Sequence, residues 1–521
     1  MYAEAPKRYS LQPAGALKAF YCALCPIFGG FEVDFLRKML DRLGKPGPQS
    51  RQETAFLRED LAYPPSGTPQ RTQEGSSRDV GRIERSAITN PKVPPKPNTT
   101  TSSPTDRAAA LVRGSAKAIL ILGGAGTGKT TFLYALQKDQ SRKQVFLAPT
   151  GVAALHLRGQ TLHSFFGIPP RIINHDEISI RTRQRKLFRN IDRLVIDEIS
   201  MVRADLLDVV DRTLRMAREE DLPFGGVQVV LVGDFFQLPP VVPVAEEYML
   251  DRLGYSGPYS FNSRVFRELA IDCVPFVKVY RQTDPAFVQC LNQLRRGVGI
   301  SAALAMINEA CVRPHRPQRI PVILTPTNGR ADAYNHDGLA RLRSAERVYV
   351  GTAAGTFGTE GDRLPVPESL ALKAGARVMA VRNDPGKRWV NGSVGTITAL
   401  ASDRVTVRLD AGTDVEIERF TWEKIRYEWD AVRARVGATV VGTYTQLPIV
   451  HAWALTIHKA QGLTLEDARV DFDYGAFAPG QAYVAVSRSR SMPGLSLARP
   501  IRGSEIKVDT RVAMYMAAFE T

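Results

Sequence analysis

The stretch AILILGGAGTGKTTFLYAL, residues 118–136, constrains this chain more than any other. Its first five residues are aliphatic and read as a buried strand; a glycine-rich turn follows, and a helix is predicted to open near Lys129. Glycines in the turn let the backbone curl with its N–H groups pointing inward, and the helix N-terminus behind them adds partial positive charge. The candidate nucleotide-binding set is therefore Gly123, Gly124, Ala125, Gly126, Thr127, Gly128, Lys129, Thr130 and Thr131. Lys129 is placed to reach the β- and γ-phosphates, and the Thr130 hydroxyl to ligate Mg²⁺. An ordinary strand-to-helix turn has no need of both Lys and Thr at those positions. The loop alone establishes triphosphate binding, which many unrelated protein classes share.

A chain of 521 residues exceeds one ordinary domain, and 44% hydrophobic residues suffice for packed cores. A formal net charge of +16 points to an acidic polymer as partner. Of five cysteines, Cys22 and Cys25 alone lie close together; one CxxC without a second pair does not make a zinc site, and these read as reduced thiols. No apolar run reaches membrane-spanning length, so the chain is expected to be soluble and intracellular. Residues 1–105 hold one candidate helix, at 31–43, and then turn to Pro, Ser, Thr and Gly. Too little apolar surface remains there to offset the entropy of ordering, so this region is expected to be disordered.

From residue 106 onward, aliphatic runs at 118–122, 144–148, 193–196 and 228–232 alternate with turns and helical spacing. That order predicts an α/β fold with a parallel sheet covered on both faces, ligands lying beyond the carboxyl ends of its strands. A second such region starts near 276, with strands expected at 322–324, 450–454 and 469–472. Between them, short runs at 377–381, 395–400, 404–409 and 414–417, separated by the turn signals NDPGKRWVNGS, SD and DAGT, predict a small inserted antiparallel barrel. The expected domains are 106–275 and 276–521.

Asp197 and Glu198 end the apolar run RLVIDE. In the sheet that carries the phosphate loop, such a pair places one carboxylate near Mg²⁺ and the other where it polarises an attacking water, which favours hydrolysis. Gln237, in GDFFQLPPV, follows an expected strand end and is a candidate to touch both γ-phosphate and a neighbouring domain; on spacing alone an incidental Gln in a turn reads equally well. APTGVAALHLRGQTLHSFF offers Thr150, Gly151, His163, Ser164 and Phe165 as polymer contacts, with hydroxyls for phosphates and His or aromatic rings for bases; Phe165 and Phe166 serve equally well as core residues. ALTIHKAQGLT breaks a buried strand into His458, Lys459, Gln461 and Gly462, which suggests a second contact region. Arg281, in VYRQTD, and Arg488, in YVAVSRSR, are candidates for neutralising γ-phosphate charge.

Together, GGAGTGKTT, APTGVAAL, GQTLHSFF, VIDEISMV, GDFFQLPPV, YRQTDPAF, LTPTN, VNGSVG, TIHKAQGLT and GQAYVAVSRSR resemble the motifs, in order, of the Pif (petite integration frequency) family of superfamily-one DNA helicases. The resemblance spans residues 118–500 and implies two RecA-like P-loop motor domains with ATP and Mg²⁺ between them. It implies 5′-to-3′ movement on single-stranded DNA, unwinding of duplex or forked DNA, roles in DNA repair, recombination or genome maintenance, and a monomer on DNA. It assigns Lys129 and Thr130 to phosphate and Mg²⁺, Asp197 to the metal, Glu198 to water, Gln237 to coupling, and Arg281 and Arg488 to an approach from the second domain. Residues 167–190 are expected to form a strand-separating insertion of the first domain, and 383–447 an SH3-like insertion of the second. A translocase without strand separation is the alternative, a nonenzymatic DNA-binding scaffold a further one. The chain departs from the family in one respect: no Gln precedes the loop closely enough to read adenine, the last being Gln73.

Overall fold

The computed structural model describes residues 103–173, 177–312, 320–358 and 364–519. The candidate helix at 31–43, the Cys22–Cys25 pair and the low-complexity segments up to residue 102 lie outside the described residues.

Six parallel strands form the first sheet: β1 (Ala118–Gly123), β2 (Gln144–Ala148), β3 (Gln160–Thr161), β4 (Arg193–Ile196), β5 (Gln228–Gly233) and β6 (Ile271–Phe276), in the order β3-β2-β4-β5-β1-β6. β1, β4 and β5 are buried along their whole length, because a parallel sheet is covered by helices on both faces. Alternation divides β1 between two cores: Leu120 and Leu122 face the cluster that holds Phe188, Leu207 and Phe235, whereas Ile119 and Ile121 face Phe132, Leu133 and Val112. The basic segment 182–190 is helical, and it seats Leu187 and Phe188 in the first of these cores while its arginines stay at the surface.

A second parallel sheet orders Ala454–Thr456, Val322–Thr325, Ala468–Val470 and Leu495–Leu497. The helices Pro285–Arg296, Ile300–Cys311 and Gln481–Val486 pack on it. The single strand expected at 450–454 is instead two. Ile449–His451 closes an antiparallel sheet, the chain crosses at Ala452 and Trp453, and Ala454–Thr456 enters the parallel sheet. Apolar residues run on through the crossing, from Ile449 and Val450 to Ala454 and Leu455, so periodicity does not reveal the switch.

The antiparallel insertion contains five strands ordered Asp414–Glu418, Arg404–Leu409, Val394–Leu400, Arg377–Ala380 and Ile449–His451, around a core of its own. It carries a long hairpin, Phe420–Asp430 paired with Arg435–Gln446, that reaches the first domain. There the Tyr427 amide donates to Gln160 Oε1 (2.8 Å), the Phe146 amide donates to Tyr427 Oη (3.4 Å), and Lys143 lies over the Trp429 ring (5.1 Å).

The second expected domain, 276–521, needs a correction at its far end. The helix Thr510–Ala517 leaves the second sheet and buries Val512, Tyr515 and Met516 in the core of the first domain, with Tyr515 stacked on Phe261 at 4.3 Å. Its apolar face finds matching aromatic surface there, beside Phe235 and Phe266. No helix among the described residues is long and apolar enough to cross a membrane.

Candidate functional site

The turn after β1 leads into the helix Lys129–Gln137, whose N-cap, Gly128, has a φ of +91°. Lys129 Nζ donates to the carbonyls of Gly123 (2.6 Å) and Gly124 (2.9 Å), so its ammonium is held over the curled backbone. Burial lowers its pKa, against the opposing pull of Asp234, Glu198 and Asp197. Thr127 Oγ1 donates to the Gly124 carbonyl (2.9 Å), while Thr130 and Thr131 open the helix at the surface.

Asp197 follows β4, and its amide donates to the Leu147 carbonyl at 3.0 Å. Glu198 adopts a left-handed backbone (φ 51°), a strained conformation for a residue with a side chain, and its amide donates back to Asp197 Oδ1 at 2.9 Å. Burial pushes both carboxyls upward in pKa; Glu198 adds to the effect on Asp197, and Lys129 opposes it on both. Glu198 Oε2 accepts from Gln461 Nε2 (3.0 Å), whose second contact is Gln237 Oε1 (3.5 Å). Gln237 Nε2 in turn donates to Asp234 Oδ2 at 3.2 Å. Gln461, in the second domain, thus touches the carboxylate and the glutamine that the first domain presents.

Arg488 is buried and anchored by its donors to the carbonyls of Val484 (3.0 Å), Ala460 and Leu463 (both 3.4 Å), with Glu198 and Asp234 as the facing negative charges. Arg281 departs from its expected approach across the cleft. Its neighbour's amide, that of Tyr280, donates to the Gly126 carbonyl (2.8 Å), so Arg281 stands beside the phosphate loop on the connection between domains. Its guanidinium donates away, to the carbonyls of Ser487 and Gly462 in the second domain (3.2 Å each). A Cβ on Gly126, which has a φ of +75°, would lie 2.4 Å from Arg281 Cβ, so a glycine is required on both counts. Burial and the nearby Arg488 charge push Arg281 down to about 9, which leaves it charged at neutral pH.

Of the candidate polymer contacts, Thr150 caps the helix Gly151–His156, its Oγ1 accepting from the Ala153 amide (3.3 Å). Thr327 repeats that capping in the second domain, accepting from the Arg330 amide at 3.4 Å. Ser164 is exposed, and its hydroxyl accepts from Gln160 Nε2 at 3.3 Å. His163 and His458 are half-buried, and burial lowers the pKa of both; Lys459 is exposed. Phe165 is not available for stacking on a base. It is 3% exposed, with its ring among Phe166, Phe188 and Tyr427 of the inserted hairpin. The insertion also grips the helix behind Thr150, through Leu155 and through Asn391 beside His156 (3.5 Å).

The site includes residues that sequence reasoning did not select: Asp234, Tyr280, Arg295 and Tyr483. The first two and Tyr483 lie within selected motifs, three residues before Gln237, next to Arg281 and five residues before Arg488. Arg295 carries no local signal of this kind.

A sequence model described as PIF1-like helicase matches residues 106–272. The ATP-dependent DNA helicase Pif1 of Bdellovibrio bacteriovorus is 32% identical over 426 residues, covering 80% of this chain and 92% of its own. The human ATP-dependent DNA helicase PIF1 is 32% identical over 403 residues, and the match spans 59% of the human protein. Among solved structures, Bacteroides Pif1 in complex with ADP-AlF4 is 34% identical with a TM-score of 0.75, covering 81% of this chain and 98% of that one; the same protein bound to ssDNA gives 0.59. With the motifs in order, two parallel sheets and this extent of identity, the chain belongs to the PIF1-like helicase family.

Proposed function

We propose that this protein is an ATP-dependent DNA helicase whose hydrolytic site is completed by two domains. One observation carries the reading: the phosphate loop and the Asp197–Glu198 pair of the first domain meet Gln461 and Arg488 of the second. Lys129 and the loop amides bind the triphosphate. Glu198, its carboxyl held by Gln461, accepts a proton from the attacking water. Arg488 neutralises the charge that develops on the transferred phosphoryl group, and Arg281 joins it once its guanidinium turns from the Ser487 and Gly462 carbonyls toward the loop; since both are tied to second-domain carbonyls, their position depends on domain closure. Gln237 passes the state of the site to the second domain through Gln461.

The donor set suits Mg²⁺: one hydroxyl, Thr130, and one half-buried carboxylate, Asp197, beside a second anion that disfavours its charge. Among the described residues no cluster of three or more His, Cys, Asp or Glu forms a site of its own, as suits a cation shared with substrate phosphates. When bound, Mg²⁺ supplies charge neutralisation of the phosphates.

Thr150, Gly151, His163, Ser164, His458 and Lys459 are the proposed DNA contacts. They follow strand ends or open helices, where backbone amides and hydroxyls bind phosphate without reading sequence. Residues 167–190 are proposed as the strand-separating element and the five-stranded insertion as an SH3-like barrel. Movement is proposed as 5′-to-3′, from family membership.

A strand-displacement assay on 5′-tailed and 3′-tailed duplexes, with each NTP in turn, tests the reading. The 5′-tailed duplex is expected to separate in the presence of ATP while the 3′-tailed one stays paired. Rapid ATP turnover with both duplexes intact would instead identify a translocase.

A further inference from the structure

A buried ionic contact joins the two domains beside the phosphate loop and has no part in the roles assigned above. Asp234 follows β5 of the first domain, and Arg295 lies in the last turn of the second-domain helix Pro285–Arg296. Arg295 Nε donates to both Asp234 oxygens (3.1 and 3.2 Å) and Nη2 to Oδ1 (2.7 Å), with the guanidinium 4.6 Å above the Phe236 ring. Asp234 is wholly buried and Arg295 is 9% exposed. The same carboxylate accepts from the Phe236 amide (3.3 Å) and from Gln237 Nε2 (3.2 Å).

A second side chain from the same domain touches the loop itself. Tyr483, buried in the helix Gln481–Val486, accepts a hydrogen bond at its hydroxyl from the Ala125 amide (2.9 Å). A Cβ on Gly124 would lie 3.1 Å from that hydroxyl and 3.7 Å from Arg295 Cδ and Nε. The glycine lets the tyrosine hydroxyl approach the loop this closely, while the arginine stands at ordinary contact distance.

We propose that Tyr483, Arg295 and Asp234 form a positioning network that transmits the state of the phosphate loop to the second domain and sets where Arg488 stands. The proposal rests on the ATPase reading above. A phenol that accepts from the loop amide keeps its own proton to donate, and a phosphate oxygen is the strongest class of acceptor a nucleotide brings to that place. Arg488 follows Tyr483 by five residues, from the same helix into its C-terminal turn, so a shift of the tyrosine is a shift of the arginine. The Asp234–Arg295 pair makes the response two-state. A desolvated, forked ion pair is either fully engaged or replaced by water, with little stability between.

The test is steady-state hydrolysis of ATP, with and without single-stranded DNA, by the full-length wild type, Tyr483→Phe, Arg295→Lys, Asp234→Asn and the double variant Tyr483→Phe/Asp234→Asn. Phe keeps the ring in its packing, and thermal melting checks that each variant is folded. Tyr483→Phe is expected to lower the DNA-stimulated kcat about tenfold while KM for ATP stays within about twofold. Arg295→Lys, which keeps the charge without the fork, is expected to fall between wild type and Asp234→Asn. The double variant is expected to lose no more than the worse single one. An unchanged kcat in Tyr483→Phe, or losses that multiply in the double variant, would overturn the network alone. A wild type that does not hydrolyse ATP would overturn the helicase reading and this inference with it.

Discussion

Tyr280 stands beside the phosphate loop with 64% of its surface exposed, its ring edge 3.7 Å from where a Cβ on Gly128 would stand and Lys278 above it at 5.2 Å. An open aromatic face in that place can stack on a base, and every base has such a face. No Gln between residues 74 and 119 is available to read the adenine edge. Tyr280→Ala is therefore expected to raise KM for ATP and GTP alike by about tenfold, the worth of one aromatic stack, with kcat nearly constant. Kinetics with each NTP check this, and a loss confined to ATP would show edge recognition instead. Lys129→Ala is expected to abolish DNA-stimulated hydrolysis and leave the melting temperature close to wild type, since Lys129 bonds only to carbonyls of its own loop. Lys129, Asp197 and Glu198 were legible as candidates because a glycine-rich turn and an aliphatic strand lead into them, whereas Arg488 stood out from the other arginines only through the motif that holds it. Tyr483 and Arg295 were not. Their partners are 358 and 61 residues away, and no local spacing encodes a meeting of that kind.

At the scale of elements, the helix Thr182–Asn190 has two faces with separate duties. Phe188 is wholly buried among Phe165 and Phe166, so Phe188→Ala is expected to destabilise the protein by about 3–5 kcal/mol in urea unfolding. Lys186 on the exposed face and Arg181 just before the helix should each tolerate Ala within about 0.5 kcal/mol. If the segment separates strands, those same changes lower unwinding rates while ATP turnover persists. The strands of the parallel sheets were readable because complete burial leaves unbroken aliphatic runs. The hairpin at 420–446 was not. In FTWEKIRYEWD aromatic and charged residues are mixed, since Tyr427 and Trp429 are half-buried against the first domain and not in the core of the insertion that carries them. The stretch 450–454 divides between two sheets for a related reason: a mostly apolar run says that a chain is buried, and not in which sheet.

For the whole molecule, a formal charge of +16 on 521 residues implies that binding to single-stranded DNA is strongly salt-dependent. The slope of log K against log salt is expected to be about −0.7 for each phosphate neutralised, and Lys459→Ala to reduce that slope by one such step. Fluorescence anisotropy at several salt concentrations measures both. The two domains are also joined twice by the chain, once through the connection at Tyr280 and Arg281 and again where Val512, Tyr515 and Met516 return to the core that holds Phe261 and Phe266. That return fixes an order of assembly during synthesis. The ribosome delivers the phosphate loop and its whole parallel sheet long before residues 512–516 emerge, so the first motor domain waits with aromatic surface uncovered until the second has been made. A release of the chain short of residue 510 would leave every motif in place and the domain that bears most of them unfinished.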